Sequence, residues 1–449
     1  MGMKCVRCGT DNDLSDPPLA AALRYRTANS GRCKNCNHPF AFEPSAVTDN
    51  RFKFTDPFFA KAIDDISANN TLYFTPKQFL YLLDRRLKKV TSGWWLFSYL
   101  FFSVWSTGFF GGFLSLAIGE SSFIFIIVWI IFNICFVINL FRASSSSNRT
   151  YKGRKSAARG LQVVGGLLLA IGIILSTVVI KSFSIFGITV LIGMLSIYLG
   201  ARQQLRLTRM SETFLVEPNQ FQDWVYRWQQ VNEPISKMLP FPREEIAQSA
   251  VSPDISAYSF DRAVICDSAA IAQMLIANNF HFENNCAVLS ITGYPQSIFE
   301  TVMQMLNRNP DLKVYALHDA SPSGVGLVQS LRTSPNWFQN SNAMIYDLGL
   351  LPRQIFSARN VFIQASEDSA QQARQLPPQV RQSLSSDELA WLEQGKFVEL
   401  ESFSPQRIIQ VLNQGITRSQ DPSAGDSLVL IDGGGYESGG YIYAADSFG

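Results

Sequence analysis

The sequence predicts a multidomain chain with a small cysteine-rich module, a region of apolar helices and a C-terminal α/β domain with a parallel sheet. Three observations carry this prediction. Two Cys-x-x-Cys pairs stand near the N-terminus. Long apolar runs are confined to residues 93–200. After residue 258, strand-like and helix-like segments alternate, which is the pattern of a parallel α/β sheet.

The bulk composition bounds the classes of function. The chain has 449 residues, more than one ordinary domain, and a net charge of +2 that gives no argument for nucleic-acid binding. The first 34 residues are polar and lack the apolar stretch of a cleavable signal peptide. The predicted domains are residues 1–50 (cysteine-rich module), 51–92 (helical linker module), 93–200 (apolar helices), 201–254 (amphipathic helix and linker), 255–415 (α/β domain) and 416–449 (Gly-rich tail).

The N-terminal cysteines predict a zinc ribbon. Cys5 and Cys8 form one pair and Cys33 and Cys36 the other, separated by an insert of hairpin length. Four thiolates close a tetrahedral site and leave no position open for water, so the zinc would be structural. Two disulfides or a redox motif are the alternative.

The surroundings of the cysteines leave the role of this module open. Its basic residues form a mildly basic set with few interleaved aromatics: Arg7, Arg24, Arg26, Arg32 and Lys34. We expect an interaction or stability role, and nucleic-acid binding stays as an alternative. The module at 51–92 is predicted to be helical, with Thr75 and Pro76 as the N-cap and first residue of a helix.

Four apolar segments are long enough to cross the hydrocarbon core of a membrane. They are Gly93–Ala117, Phe123–Phe141, Leu161–Ile180 and Phe183–Leu199. The third contains GGLLLAIG at 165–172, whose small residues suit close helix contact. Buried core helices of a large soluble protein are the alternative.

Basic residues predict how these segments are oriented. Basic stretches precede the first segment (84–89), separate the second from the third (142–159) and follow the fourth, so both termini are predicted to be cytosolic. We expect two helical hairpins in an integral, multi-pass protein of a bacterial inner (plasma) membrane. No segment carries a charged residue or a histidine inside it, which favours an anchor over a transporter.

The C-terminal domain is predicted to contain four strands and three helices. Before this domain, residues 221–239 are predicted to form an amphipathic helix, and residues 240–254 are predicted to form a linker. The predicted strands are 262–267, 286–293, 312–319 and 343–350, and the predicted helices are 268–279, 295–310 and 323–332. Asp267, Gly293 and Asp319 stand at carboxyl ends of strands, where parallel sheets bind their ligands.

This order of motifs resembles a family. The segment Asp319-Ala320-Ser321-Pro322-Ser323-Gly324 is similar to the D-x-D-P-x-G motif of the Toprim domain in the A subunit of type IIB topoisomerases. DLGLLPRQI (347–355) and LSSDELAWLEQGKFVELESF (384–403) look like later segments of that domain. The resemblance covers roughly 260–415. It implies a Toprim fold whose strand-end acids hold Mg²⁺.

Two departures from the family pattern predict that the chemistry is lost. Asp267 stands where the family has a Glu, and Ser321 replaces the second Asp. Two acids could hold Mg²⁺ only weakly. The remaining catalytic candidates are Asp267, Asp319 and Glu399. Each also has a structural alternative: a helix N-cap for Asp267, a turn-forming residue for Asp319 and a solvated strand face for Glu399 and Glu401.

Two functional hypotheses follow from these features. The first is a membrane-anchored, cytosol-facing scaffold or regulatory protein, whose degenerate Toprim-like domain binds a protein or small ligand. The second is a membrane-tethered, Mg²⁺-dependent nuclease or nucleotide-processing enzyme. The predicted partners are the membrane and a protein, with nucleic acid weakly supported.

The tail glycines lack the strand–loop–helix order of a phosphate-binding loop.

Overall fold

The computed structural model of the protein describes sixteen stretches of the chain. They are residues 2–13, 32–42, 54–88, 95–118, 121–146, 149, 151–174, 176, 183–209, 211–242, 260–309, 311–339, 341–358, 361–419, 427–429 and 443–445. The chain divides into two compact units. One comprises residues 1–84 and 216–449, and the other comprises residues 85–215.

The unit at 85–215 consists of long apolar helices. They are α3 (Trp95–Ile118), α4 (Ser121–Ser145), α5 (Tyr151–Ile174) and α6 (Phe183–Arg209). Among the residues that the structure describes, three segments are long and apolar enough to cross a membrane: Phe125–Ser145, Gly153–Ile174 and Phe183–Leu207. Helix α3 covers the first predicted span from Trp95 onwards, residues 93–94 lie outside the described residues, and the capacity of this span to cross a membrane stays a prediction. The end of the third predicted span, at 177–180, lies outside the described residues.

Glycines allow α5 and α6 to approach closely. A Cβ added to Gly165 would lie 2.8 Å from the carbonyl oxygen of Gly193, and one added to Gly200 would lie 2.8 Å from that of Ala158. Close backbone approach at small residues is a common means of packing apolar helices. Ser196 adds a hydrogen bond of 2.7 Å from its hydroxyl to the carbonyl of Leu161.

The cysteine-rich module begins with a hairpin. Strand β1 (Gly2–Lys4) pairs antiparallel with β2 (Asp11–Asp13), and the turn between them carries the first cysteine pair. The second pair lies between Arg32 and Pro39, which form an isolated antiparallel bridge. Residues 14–31, which separate the two pairs, lie outside the described residues.

Three helices share an aromatic core. They are α1 (Asp56–Ile66), α2 (Pro76–Leu87) and α7 (Pro218–Val231). Phe59 on α1 contacts both Phe79 of α2 and Trp228 of α7, with ring centroids 5.2 and 5.1 Å apart. The three rings are buried. Rings of this size bury much apolar surface, so they hold the helices together although the helices are far apart in sequence.

A four-stranded parallel sheet forms the centre of the C-terminal domain. Its strands are β3 (Arg262–Cys266), β4 (Cys286–Ser290), β5 (Lys313–Leu317) and β6 (Met344–Asp347), in the order β4-β3-β5-β6. The strands are nearly continuous apolar runs, as expected when helices cover both faces of a sheet. The order reverses between β3 and β5. This reversal is the topological switch point, outside which parallel sheets bind ligands.

Helices and short strands complete this domain. The helices are α8 (Ala269–Ala277), α9 (Phe280–Glu283), α10 (Phe299–Arg308), α11 (Pro322–Val325), α12 (Leu327–Thr333), α13 (Pro352–Ser357), α14 (Glu367–Arg374), α15 (Pro378–Ser383), α16 (Ser386–Glu393) and α17 (Pro405–Arg418). Strands β7 (Gln364–Ala365) and β8 (Lys396–Phe397) pair antiparallel, and a 3₁₀ turn follows at Leu400–Ser402. In the tail, β9 (Ser427–Val429) pairs antiparallel with β10 (Tyr443–Ala445).

The structure confirms the predicted alternation and corrects two helices. The helix predicted at 295–310 begins only at Phe299, because Pro295 to Ile298 form a turn closed by a hydrogen bond between these two residues. The helix predicted at 323–332 is interrupted at Gly326, where α11 ends and α12 begins. Helix α17 also continues to Arg418, because buried Ile416 extends its apolar face.

Candidate functional site

The four N-terminal cysteines form one cluster of free thiols. Their sulfur atoms all lie within 4.8 Å of one another. The Sγ atoms of Cys5 and Cys36 are 3.7 Å apart, and those of Cys8 and Cys33 are 3.6 Å apart. No two of them form a disulfide. The alternative of two disulfides is therefore wrong for this structure.

The two cysteine turns share one backbone pattern. The amide of Gly9 donates to the carbonyl of Cys5, and the amide of Asn37 donates to that of Cys33, both at 2.9 Å. Gly9 and Asn37 each have a positive φ, of 72° and 56°. Glycine and asparagine tolerate this left-handed conformation best, which explains their equivalent places after each pair.

The cluster has the dimensions of a tetrahedral metal site. With zinc–sulfur bonds of about 2.3 Å, the sulfur atoms at two corners of a tetrahedron lie about 3.8 Å apart. The distances of 3.6 and 3.7 Å agree with this value. The cluster can therefore hold a metal ion such as zinc, with all four positions filled by protein ligands.

A second candidate site lies at the switch point of the sheet. Asp267 follows β3 and Asp319 follows β5. The Oδ2 atom of Asp267 accepts a hydrogen bond of 2.7 Å from the backbone amide of Asp319. The two predicted residues therefore meet. Asp267 is not the helix cap that the alternative predicted, because the N-cap of α8 is Ser268 and the carboxylate of Asp267 accepts its hydrogen bond from Asp319.

A late segment of the chain brings two more acids to the same place. Ala320 and Val398 form an antiparallel bridge through hydrogen bonds of 2.9 and 3.0 Å. Next to it, the amide of Leu400 donates to Oδ1 of Asp319 at 2.6 Å. Glu399 and Glu401 flank Leu400 and are largely buried, with side chains 17% and 14% exposed. We call Asp267, Asp319, Glu399 and Glu401 together the acidic edge.

Ser321, which stands where the D-x-D pattern has its second Asp, has a local structural role. It is the N-cap of α11, and its hydroxyl accepts a hydrogen bond of 3.0 Å from the amide of Gly324. Its Oγ also lies 3.1 Å from Oγ of Ser323. The hydroxyl is uncharged and already serves as a cap, so it brings no negative charge to the edge.

Burial raises the pKa of three carboxyl groups of the acidic edge, those of Asp267, Asp319 and Glu401. Burial raises the pKa of Asp319 well above the usual range, and the charge of Asp267 raises it further. Burial likewise raises the pKa of Asp267, against the lowering effect of its hydrogen bond from Asp319. Burial also raises the pKa of Glu401, although Lys77 opposes this. Near neutral pH the edge therefore carries less negative charge than four free carboxylates would.

Helix α2 supplies donors to the acidic edge from outside the C-terminal domain. Nζ of Lys77 lies 2.7 Å from Oε1 of Glu399 and 3.8 Å from Oε2 of Glu401. The hydroxyl of Tyr81 donates to the other oxygen of Glu399 at 2.5 Å, and that of Thr75 donates to Glu401 at 2.8 Å. Burial opposes the charge of Lys77, but Glu399, Glu401 and Asp319 together raise its pKa above the ordinary value.

An ion pair between buried His318 and half-buried Asp347 lies next to the edge. The ring of His318 is fully buried, with Nδ1 2.8 Å from the carbonyl oxygen of Asp319 and Nε2 2.9 Å from Oδ1 of Asp347. Both neighbours are acceptors, so both ring nitrogens carry protons. Although burial alone would lower the pKa of His318, Asp347 raises it to about 9. Burial would raise the pKa of Asp347, but the adjacent His318 lowers it.

Sequence reasoning missed several residues of this site. It named Asp267, Asp319 and Glu399 as candidates, and the structure brings all three together. It did not find Lys77, Tyr81 or the His318–Asp347 pair as functional partners. Lys77 and Glu399 are 322 positions apart, so no local spacing could have linked them.

The acidic edge is not a ready-made metal site. Among the described parts of the chain, the four cysteines are the one group of three or more His, Cys, Asp and Glu side chains that could hold a metal ion. One oxygen of the edge, Oδ1 of Asp267, is buried and has no hydrogen-bond partner among the described residues. A single such oxygen gives one ligand, whereas Mg²⁺ takes six.

The parallel sheet with acids at its switch point defines the class of the domain. It is a Toprim-like domain, joined in one chain to apolar helices and a cysteine cluster. The match to known families agrees with this assignment. Residues 263–414, about a third of the chain, match the Toprim domain family of Spo11 and the A subunit of topoisomerase 6. The resemblance found in the sequence is thereby confirmed for the C-terminal domain. No curated protein matches the chain.

Proposed function

We propose that this chain is a membrane-anchored, cytosol-facing scaffold or regulatory protein whose Toprim-like domain does not cut nucleic acid. In this proposal the domain binds a protein or a small ligand. The observation that carries the proposal is the environment of Ser321, whose neutral hydroxyl caps α11 where the family places its second Asp. Metal-assisted phosphoryl transfer needs concentrated negative charge to hold its ions, and this position supplies none.

Two further features support the anchored scaffold. Within the part of the chain that the structure describes, three helices are apolar enough to span a membrane, and α3 covers most of the remaining predicted span. The basic stretches at 84–89 and 142–159 favour two hairpins with both termini in the cytosol. The four thiols close on one point, which suits structural zinc in a reducing compartment.

A cleavage assay on the full chain tests the proposal. The zinc-loaded protein in detergent is incubated with supercoiled DNA, single-stranded DNA and RNA in the presence of Mg²⁺. We expect no cleavage, either by the wild type or by the matched Asp319→Ala variant. Cleavage by the wild type that needs Mg²⁺ and disappears in Asp319→Ala would refute the proposal.

One observation favours the alternative, a divergent Mg²⁺-dependent nuclease or nucleotide-processing enzyme. Asp267 and Asp319 do meet, and Oδ1 of Asp267 is buried without a partner among the described residues. The same preparation is therefore also tested for hydrolysis of nucleoside triphosphates. Turnover that is lost in both Asp267→Asn and Asp319→Asn would establish the alternative.

The predicted topology has its own test. In a Cys135→Ser background, one new cysteine is placed at Glu120, between the first two spans, and another at Ser146, between the second and third. A membrane-impermeant maleimide should label Glu120→Cys in intact spheroplasts. Ser146→Cys should react only after the membrane is permeabilised. The reverse pattern would contradict cytosolic termini.

A further inference from the structure

We infer that Lys77, on helix α2 near the N-terminus, is the resident cation of the acidic edge, and that the edge takes this ammonium group in place of the Mg²⁺ that a Toprim fold implies. The inference deepens the proposed function and rests on it, since both treat the domain as non-catalytic. It adds a specific role for a helix that lies outside the Toprim-like domain. It also explains why the segment from Tyr73 to Tyr81 contacts that domain.

Polar contacts fix the start of α2 on the domain. The amide of Tyr73 donates to Oδ1 of Asn278 at 2.8 Å, and Nδ2 of Asn278 donates back to the carbonyl of Tyr73 at 2.9 Å. Nε2 of buried Gln78 donates to the carbonyl of Phe403 at 3.1 Å. These contacts lie on both sides of Lys77, so its position is set by the backbone and not only by its own charge.

Thr75 begins the helix in the way that the sequence predicts, and it also reaches the edge. Its Oγ1 accepts from the amide of Gln78 at 3.1 Å, and Oε1 of Gln78 accepts from the amide of Thr75 at 2.9 Å. The same hydroxyl donates its proton to Glu401 at 2.8 Å. One residue thus caps α2 and binds the edge, so helix formation and docking depend on each other.

Five of the eight carboxylate oxygens of the acidic edge accept hydrogen bonds from the chain, including Oε1 of Glu401 from Thr75, whereas Oδ1 of Asp267 has no partner among the described residues. Oδ2 of Asp267 and Oδ1 of Asp319 accept backbone amides, and both oxygens of Glu399 accept side chains of α2. Mg²⁺ demands near-octahedral oxygen ligands at about 2.1 Å and usually keeps several waters. Since backbone amides already occupy Oδ2 of Asp267 and Oδ1 of Asp319, the ion would have to displace the ammonium of Lys77 from Glu399 in order to bind here. The residues present therefore do not fit the metal.

A lysine suits this place for a physical reason. Its ammonium is a compact point charge on a flexible stem, so it can reach two carboxylates without the fixed geometry of a guanidinium. The side chain is 40% exposed, and its charge lies at the mouth of the edge, over Glu399 and Glu401. The ring of His318 lies against the backbone of Asp319 and acts electrostatically on Asp267, so a second protein cation faces the other acids of the edge.

The test compares Mg²⁺ binding by the wild type and by charge variants of the full chain in detergent, after the cysteine site is loaded with zinc. Lys77→Met removes the charge and keeps the length of the side chain, whereas Lys77→Arg keeps the charge. Binding is measured by titration calorimetry with Mg²⁺ and by the midpoint of thermal unfolding. Asp319→Asn in each background shows whether any metal bound sits at the edge.

We expect no Mg²⁺ binding at the edge in the wild type or in Lys77→Arg. Lys77→Met should unfold at a lower temperature, and Mg²⁺ should restore part of the loss. At a hundredfold excess over its dissociation constant, the ion would raise the midpoint by roughly 5 °C or more. Asp319→Asn should abolish that rise. If Lys77→Met does not fold, adding Glu399→Gln should rescue it, because the pair is then removed together.

Two results would overturn the inference. One is Mg²⁺ binding to the wild type that Asp319→Asn removes, since the edge would then take the metal with Lys77 in place. The other is a Lys77→Met protein that unfolds at the wild-type temperature and gains no Mg²⁺ binding. Asp319-dependent Mg²⁺ binding by the wild type, without any cleavage of nucleic acid, would refute this inference and leave the proposed function standing. Asp319-dependent cleavage would refute the proposed function itself.

Discussion

The substitution Asp347→Asn should abolish the charge of His318 and weaken the fold in a pH-dependent way. The carboxylate of Asp347 accepts hydrogen bonds from Nε2 of His318 and from the amide of Gly349, both at 2.9 Å. Asparagine keeps the shape and one acceptor but loses the negative charge. The ring would then lie buried beneath Asp267 and Asp319 without its counter-ion. We therefore expect its pKa to fall towards or below the ordinary value, because burial lowers the pKa of an unpaired imidazole.

The size of the effect follows from the pKa of His318. Its folded-state pKa of about 9, against an ordinary value of 6.5, corresponds to a contribution of about 3 kcal/mol to the free energy of unfolding. Because the folded pKa is raised, this stability is fully present below pH 6.5 and is lost as the pH rises through about 9. Asp347 sets the acid limit: its folded pKa is lowered, so its contribution is lost as the pH falls through that value.

Selective labelling of histidine with ¹⁵N provides the assay, because the chain has only three histidines. In the full chain in detergent, one imidazole should stay doubly protonated at pH 7.5 and titrate near pH 9. That signal should vanish in His318→Gln and titrate at much lower pH in Asp347→Asn. Thermal unfolding should show a wild-type midpoint that falls between pH 7 and pH 9.5, with a flatter profile in Asp347→Asn. A neutral His318 ring at pH 7 in the wild type would refute the reasoning.

Three further predictions concern the edge, the glycine beside His318 and the metal cluster. Asp319→Asn should raise the free energy of unfolding at pH 7.5 by about 1 kcal/mol, because it removes the cost of burying the charge and the repulsion from Asp267, and keeps an acceptor for Leu400. The gain should shrink towards pH 4 in thermal unfolding, because the raised pKa of Asp319 means that its carboxyl group destabilises the fold only at higher pH, where it is ionised. A gain that does not depend on pH would contradict this prediction. Gly349→Ala would place a Cβ in steric overlap with the ring of His318 and should cost about 1–3 kcal/mol. Gly326→Ala is its control, with the nearest atoms at 3.5 Å, and an equal loss in both would argue against the clash. Cys33→Ser should lose the metal that elemental analysis finds in the wild type, whereas Cys135→Ser should retain it. Equal metal content in the two variants would exclude the cluster as the site.

Features that depend on neighbouring residues could be predicted from the sequence. Each cysteine pair needs only a tight turn, and Gly9 and Asn37 supply it. The strands of the C-terminal domain are apolar runs of five residues or fewer, and each helix has its start and stop signals close by. The sequence placed Asp267 and Asp319 at the carboxyl ends of parallel strands. It left open whether they meet, because only the structure shows that β3 and β5 are adjacent.

Where those side chains point could not be predicted. The sequence offered a helix cap for Asp267 and a local turn for Asp319, and both alternatives were consistent with short-range rules. In the structure the carboxylate of Asp267 instead accepts a hydrogen bond from the amide of Asp319. The carboxylate of Asp319 accepts one from the amide of Leu400, 81 positions away. Ser321 took the local role, since a serine followed by proline is a good cap whatever the rest of the fold does.

Local sequence patterns were enough to define the parts of this protein: a four-cysteine cluster, apolar helices that can span a membrane, and a Toprim-like sheet whose second acid is a serine. Periodicity and spacing encode such features over a few residues. The character of the acidic edge, by contrast, depends on the folded chain. Lys77 meets Glu399 because an aromatic core around Phe59 holds α2 in place, and because Asn278 and Phe403 fix its first turn. Contacts of this kind depend on packing between distant segments, which no local pattern records.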